Sequence, residues 1–367
     1  MKRLGVPRWV DLALIPAINL LAALLIAGLV VVLVGESPWL AMQALVFGAV
    51  GSWEQFGYTL YYTTSLIFTG LAVGIAFHCG LFNIGGEGQA MMGGLGVALV
   101  CIGLNGWPWF LVLPLAVLAA MAFGGFWAFI PGYLQAERGS HTVITTIMFN
   151  FLAAILLNYL LVEVLIAPNQ QSPQTIRFDQ ASHLPFAHEL LAGLGIKTGR
   201  SPLNLTFLLA LASCAAVWAI IWRSRWGYEL RAVGANEKAA LYGGISPGRN
   251  VVIAMALAGA MAGLLGINEV MGAQHRLVLG FTAGFGFTGI AVALMGRNHP
   301  FGIILAAFLF GALYQGGSEL AFEIPTFTND MVVVIQGLVI LFCGALENLF
   351  RRPIEGFFER RAVAGEV

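Results

Sequence analysis

Residues 222–250, WRSRWGYELRAVGANEKAALYGGISPGRN, break an otherwise apolar chain with a burst of charge, and the side of a membrane they occupy fixes the reading of everything around them. Five of the eighteen Lys and Arg residues fall here: Arg223, Arg225, Arg231, Lys238 and Arg249. Basic residues collect on the cytoplasmic side of membrane proteins, so the stretch reads as an inside loop. Asn236 is a suitable N-cap for a helix of about two turns that ends at Gly243 and Gly244, with Ala239 and Ala240 giving it a smooth contact face. A bare connector has no use for such a helix, so the segment is shaped to be gripped by something in the cytosol.

Around this loop, 59% of the residues are hydrophobic and only 10% are charged, against about 25% in soluble domains. Mean hydropathy is +0.85. These values define an all-α polytopic membrane protein. The formal net charge is zero, which gives no basis for binding a nucleic-acid polymer or adsorbing to an acidic surface. Cys79, Cys101, Cys214 and Cys343 lie in or beside apolar segments without metal-ligand or disulfide spacing, and read as small buried hydrophobes.

The chain opens on Lys2, Arg3 and Arg8 and then runs apolar over 12–34, the pattern of an uncleaved signal anchor with no convincing cleavage site after it. Apolar segments at 57–78, 88–104, 110–131, 142–166, 203–222, 250–270, 281–296, 301–318 and 330–350 bring the expectation to about ten transmembrane helices. An even number places both termini in the cytoplasm, in agreement with Arg351, Arg352, Arg360 and Arg361 in the tail. Glu137, Arg138 and His141 then lie inside and 168–202 lies outside, although Arg177, Lys197 and Arg200 sit mildly against the charge rule. The organisation is a single membrane domain over 1–367: anchor helix and outer loop 1–56, first helical half 57–166, outer loop 167–202, second half 203–350 containing the loop 223–250, and tail 351–367.

Two segments are too glycine-rich for ordinary lipid-facing helices: GLFNIGGEGQAMMGGLG at 80–96 and LGFTAGFGFTGIAVALMG at 279–296. Such density argues for close helix packing or broken helices, and the comparable placement of the two hints at an internal duplication. Phe82, Asn83, Glu87 and Gln89 in the first, with Phe285, Phe287 and Thr288 in the second, form a candidate solute passage. Unpaired polar groups are expensive in lipid, so Asn83, Glu87 and Gln89 must face protein or a wet cavity. Glu87 also has a structural reading, as acceptor of backbone N–H bonds in the glycine turn. Asn150 and Asn158, eight apart, fall near one helical face and read as helix–helix hydrogen-bonding groups. Glu163 and Glu269 read as solvated outer helix ends, a gate being the sharper alternative for Glu269. His183 and His188 have no zinc spacing.

No phosphate-binding loop, H-E-x-x-H or G-x-S-x-G motif occurs, so the chain reads as a non-enzyme with no catalytic residues, no metal site and no cofactor of its own. Energy for transport must come from a partner or an ion gradient.

GLFNIGGEGQ, ELRAVGANEKAALYGGIS and GFTGIAVALMGRNHPFG, in this order, resemble permeases of bacterial ABC importers. The resemblance is to the nucleoside and simple-sugar group of the branched-chain amino-acid permease superfamily, and it runs from the second span to the last. It implies a multi-pass protein of the bacterial inner membrane that passes a nucleoside or sugar delivered by a periplasmic or lipid-anchored binding protein. A cytoplasmic ABC ATPase, which hydrolyses the ATP, and a second permease chain, most simply forming a heterodimer, are the implied partners. The family's coupling helix maps onto Glu229, Arg231, Gly234, Asn236, Glu237, Ala239, Ala240 and Gly243. The competing class is an ion-driven secondary transporter using Glu87 and Glu269 and no ATPase.

Overall fold

The structure, a computed structural model, describes residues 10, 14–193, 195–196, 198–324 and 328–341. Lys2, Arg3, Arg8, Lys197, Cys343 and the basic tail 351–367 lie outside the described residues. Helices dominate these residues, and the only β-type pairings among them are isolated bridges at Gln174 with Val278 and Phe186 with Asn204.

In chain order the helices are α1 (Ile15–Val34), α2 (Pro38–Val50), α3 (Trp53–His78), α4 (Gly86–Gly103), α5 (Trp109–Arg138), α6 (Thr142–Tyr159), α7 (Ala187–Gly193), α8 (Thr206–Trp218), α9 (Arg225–Ala235), α10 (Glu237–Tyr242), α11 (Pro247–Gly263), α12 (Phe285–Met295), α13 (Pro300–Glu323) and α14 (Asn329–Ile340). Three continue as wider π-helical turns: α6 into Leu160–Val164, α8 into Ala219–Arg223, and α11, after a short turn, into Ile267–Gln274. Among the described residues, six helical stretches are long and apolar enough to cross a membrane: Trp53–His78, Trp109–Arg138, Thr142–Val164, Thr206–Arg223, Pro247–Gln274 and Pro300–Glu323. α1 and α2 pass the same test only as a pair bent by 119°. The bend has a local cause: Gly35 ends α1 in the left-handed conformation and Pro38 starts α2. The expectation of about ten crossings therefore has six strong members here, while α4 and α12, its glycine-rich members, do not reach that standard.

The described residues fall into two compact units, one drawn from Met1–Ala49 and Leu313–Val367, the other from Val50–Ala312. In the first, Ala27, Val31, Ala41, Ala44, Leu320 and Ile335 form the buried apolar cluster. The second holds every candidate site residue. Its centre is a seam of α4, α5 and α11 in which backbones, rather than side chains, touch. A Cβ on Gly263 would lie 2.2 Å from the Ala120 carbonyl oxygen, and one on Gly259 2.3 Å from that of Gly124. Lipid supplies no hydrophobic drive for helices to associate, so close backbone approach and the dispersion it brings hold such a seam together.

α3 starts at Ser52, whose hydroxyl accepts from the Gln55 backbone N–H at 3.2 Å. It ends at His78, and 79–85 then runs without helix to the start of α4. Asn150 is buried in α6 but Asn158 is exposed, so the two do not share a face. Eight residues at about 100° each leave them roughly 80° apart, enough to separate a packed side from a lipid-facing one.

Candidate functional site

A broken helix inside a membrane needs a partner for every freed backbone group. The interruption before α4 meets that need largely with the side chains singled out from the sequence. Asn83 and Gln89 exchange two amide hydrogen bonds, each of 3.0 Å, and the Asn83 Oδ1 also accepts from the Gly85 N–H at 2.9 Å. From α6, Asn150 accepts the Gly88 N–H and donates to the Ile84 carbonyl, both at 2.9 Å. The helix–helix role expected of Asn150 is thus what its geometry provides. Phe82 is partly exposed, its ring 5.3 Å from that of Phe77.

Glu87 joins this segment to the second glycine-rich one. Its side chain is buried, and the carboxylate accepts from the Thr282 hydroxyl at 2.5 Å and from the Gly284 and Gly286 backbone N–H groups at 3.1 and 2.8 Å. Gly284 and Gly286 carry N–H groups at the start of α12 that have no partner within the helix, so a residue of one broken helix caps the other. Two glycines permit the approach: a Cβ on Gly286 would sit 2.2 Å from the Glu87 nitrogen, and one on Gly86 would sit 3.3 Å from the Gly286 oxygen. Glu87 is therefore built as an acceptor of backbone N–H bonds in a glycine turn, although that turn belongs to the other segment. Phe285 is buried, with its ring 6.2 Å from that of Tyr62, whereas Phe287 is exposed. The hydroxyl of Thr288 donates to the Gly284 carbonyl at 3.4 Å. The structure thus brings Asn83, Glu87, Gln89 and Phe285 into one buried region and leaves Phe82 and Phe287 at its edge.

Glu269 is a correction. Counting residues along the seventh span puts it at a solvated end, yet it is only 3% exposed. Its carboxylate accepts from the Tyr61 hydroxyl on one oxygen and from the Ser65 hydroxyl, at 2.7 Å, on the other. Asn268 donates to Ser65 Oγ at 2.8 Å and to the Tyr61 carbonyl at 3.2 Å, and accepts from Asn204 Nδ2 at 3.2 Å. The π-helical turns carry the span on to Gln274, past Glu269, and α3 covers its carboxylate. Sequence reasoning missed Tyr61, Ser65 and Asn204. A usable signal was there in the polar run YTLYYTTS at 58–65, too hydroxyl-rich for a lipid-facing helix.

The charged loop forms an elbow of two helices. Asn236 caps α10 as expected, its Oδ1 accepting the Ala239 N–H at 3.0 Å, and Gly243 and Gly244 end it. Glu229, Arg231 and Gly234 belong to the preceding helix α9; Glu229 pairs with Arg225 at 3.2 Å, an exposed pair of small energetic weight. Of the two alanines only Ala239 faces outward. Ala240 is 5% exposed, and the outer surface of α10 is completed by Leu241 and Tyr242, 64% and 95% exposed. Gly234 lies against the turn after α3, where an added Cβ would be 2.3 Å from the His78 oxygen and 2.9 Å from the Gly80 nitrogen.

Beyond the membrane-spanning stretch, residues 174–178 run beside 275–278, with the Thr175 N–H bonded to the Leu277 carbonyl at 3.0 Å and the Phe178 N–H to that of His275 at 2.8 Å. The rings of His183 and His275 stack 3.6 Å apart and within 6° of parallel. Burial pushes both below the usual histidine value, His275 to about 4 with the neighbouring His183 adding to the effect. Arg177 lowers both further, while Asp179 acts against the shift at His183 and Glu189 at both rings. A group whose folded pKa is depressed in this direction holds its packing while neutral. The clasp is intact above about pH 6.5, the unfolded value, and is lost as pH falls toward 4. Hydrogen exchange of 174–183 should accordingly be slow at pH 7 and quicken below pH 5 after correction for the intrinsic pH dependence. Unchanged protection at pH 4 would refute the sign.

The comparisons agree with this architecture. Residues 55–344 match the family described as branched-chain amino acid transport system / permease component. The chain is 38% identical over 332 residues to the guanosine ABC transporter permease protein NupP of Bacillus subtilis, covering 90% of this chain and 92% of that one. It is 36% identical to the glucose ABC transporter permease protein TsgB13 of Haloferax volcanii, over 98% of this chain and 94% of the other. A third relative, the nucleoside ABC transporter permease protein NupB of Lactococcus lactis, is 32% identical over 90% of each chain. No solved structure matches at a significant level. A multi-pass helical chain matched over nearly its whole length by such relatives belongs to the branched-chain amino acid transport permease family and is a permease subunit of an ABC transporter.

Proposed function

We propose that the chain forms the passage of an importer for an uncharged, hydroxyl-rich solute, a nucleoside or a simple sugar, and that a separate cytoplasmic ATPase drives it through the α9–α10 elbow. The observation that carries the coupling is the seat of Gly234 on His78 and Gly80, because 79–85 contains Asn83 and leads directly to Glu87. A push on α10 travels through α9 into this turn, and from there to the junction of α4 and α12. Backbone-to-backbone contact suits such a lever, since it leaves no side chain to absorb the motion.

In this reading both termini and the elbow are cytoplasmic, and 168–202 faces the opposite side, where a binding protein delivers the solute. The second permease chain completes the passage, most simply as a heterodimer, in the inner membrane if the source is a bacterium. The chain itself binds no cofactor, and ATP is spent on the partner ATPase. Guanosine and glucose, the solutes in the names of two relatives, both carry adjacent hydroxyl groups, and amide-rich surroundings suit such solutes.

The test is uptake by liposomes containing the chain with its ATPase, sister permease and binding protein, using labelled guanosine, adenosine, uridine and ribose with and without internal ATP. ATP-dependent accumulation of at least one is expected. Uptake that ignores ATP and follows an ion gradient would overturn the reading in favour of a secondary transporter built on Glu87 and Glu269.

A further inference from the structure

Glu269 is a buried carboxylate that the coupling argument does not use. Among the described residues no Lys or Arg pairs with it, and its partners are two hydroxyls and an amide. One hydroxyl sits on each oxygen, Tyr61 on Oε2 and Ser65 on Oε1. That is how a carboxylate receives two adjacent hydroxyl groups of a sugar, except that here both come from α3, four residues apart and so on one face of that helix. Asn268 supplies the complement, an N–H group reaching Ser65 Oγ at 2.8 Å while its own oxygen is held by Asn204. Each hydroxyl of a diol donates one bond and accepts others, so a carboxylate beside an amide matches its needs. Both residues are buried on a π-helical segment, a geometry frequent at functional sites. Next in the chain to Tyr61, Tyr62 has its ring 5.2 Å from that of Tyr61 and 6.2 Å from that of Phe285, so flat surfaces adjoin the polar cluster.

We propose that Glu269 and Asn268 are the receptor for two adjacent hydroxyls of the transported solute, and that the Tyr61 and Ser65 hydroxyls occupy this receptor while the passage is closed. The inference rests on the nucleoside or sugar reading above and deepens it. When the passage opens, solute hydroxyls replace protein hydroxyls one for one. The exchange conserves the number of hydrogen bonds, so it leaves little net affinity and lets the solute leave as readily as it enters. A clamp with a purely structural purpose would gain little from this arrangement, because apolar side chains of the same volume would hold two helices together at least as well.

The experiment uses the complete importer in liposomes and compares adenosine, guanosine and uridine with their 2′,3′-dideoxy counterparts, which lack the diol. The same binding protein serves every arm, so changes in the ratio between variants report the permease. Glu269→Gln should lower riboside uptake about tenfold or more and leave dideoxy uptake within twofold, collapsing the preference. Tyr61→Phe, which removes one competing hydroxyl, should raise the riboside-to-dideoxy ratio about threefold. Equal loss of both solutes in Glu269→Gln, or an unchanged preference, overturns the proposal and leaves a structural latch. If Glu269→Gln fails to insert, Tyr61→Phe and Ser65→Ala decide, and an unaltered ratio in both overturns it. Absence of ATP-driven uptake of any of these solutes by the unmodified importer would refute the functional reading instead.

Discussion

A single methyl group at position 286 should stop transport. Gly286→Ala places its Cβ 2.2 Å from the Glu87 nitrogen and 2.4 Å from the Glu87 Cα, and backbone atoms cannot swing aside as a flexible side chain would. The starts of α4 and α12 must separate, and the bonds from Thr282, Gly284 and Gly286 to the Glu87 carboxylate, of 2.5, 3.1 and 2.8 Å, lengthen or break. Overpacking of this kind costs about 1–3 kcal/mol. Each unsatisfied buried N–H costs roughly 1–3 kcal/mol more. At least a tenfold fall in uptake is expected, with a lower thermal midpoint of the purified protein. Gly103→Ala is the control: its Cβ meets nothing within 4 Å at the far end of α4, and uptake should stay within twofold. Equal behaviour of the two variants would remove the junction from the mechanism.

The second large effect is expected at the elbow. Leu241 and Tyr242 are exposed, so replacing both with Asp should leave insertion and thermal stability unchanged. If they seat in the ATPase, each loses burial worth about 1.5–3 kcal/mol. Together that is on the order of a hundredfold or more in affinity. The ATPase should no longer copurify, and ATP-dependent uptake should fall to background. Ala240→Trp should behave differently: the site is buried, and the variant should lose stability before it loses partner contact. Retention of the ATPase by the double Asp variant would assign the α10 surface to the lipid headgroups instead.

How far the sequence could be read follows from which property each residue type reports. Charge placement singled out the elbow, and the pairing of Asn236 with the closing glycines located α10, because caps are decided within a few residues. Glycine density located the two broken segments for a related reason: only glycine tolerates the approach of Gly286 to the Glu87 backbone. What the segments do to each other was not legible, since Glu87 reaches its acceptor role through residues 195 to 199 positions away. The same limit hid Glu269, whose partners lie 204 and 208 positions off and whose depth depends on π-turns that hydropathy does not register. Ala240 is turned inward, a fact about packing and not about composition.

The seam of α4, α5 and α11 has a consequence of its own. Gly93 meets Gly263, Gly94 meets Gly266 and Gly124 meets Gly259 with no side chain between them. Joints of this type have no rotamers to exchange, so they cannot slide by small repacking steps as Leu-lined interfaces do. The three helices therefore act as a keel, a part that keeps its shape through every stroke. In the proposed cycle motion is left to the hull around it, to α3 and the hydroxyl-lined contacts it makes, where bonds can be traded for water and remade.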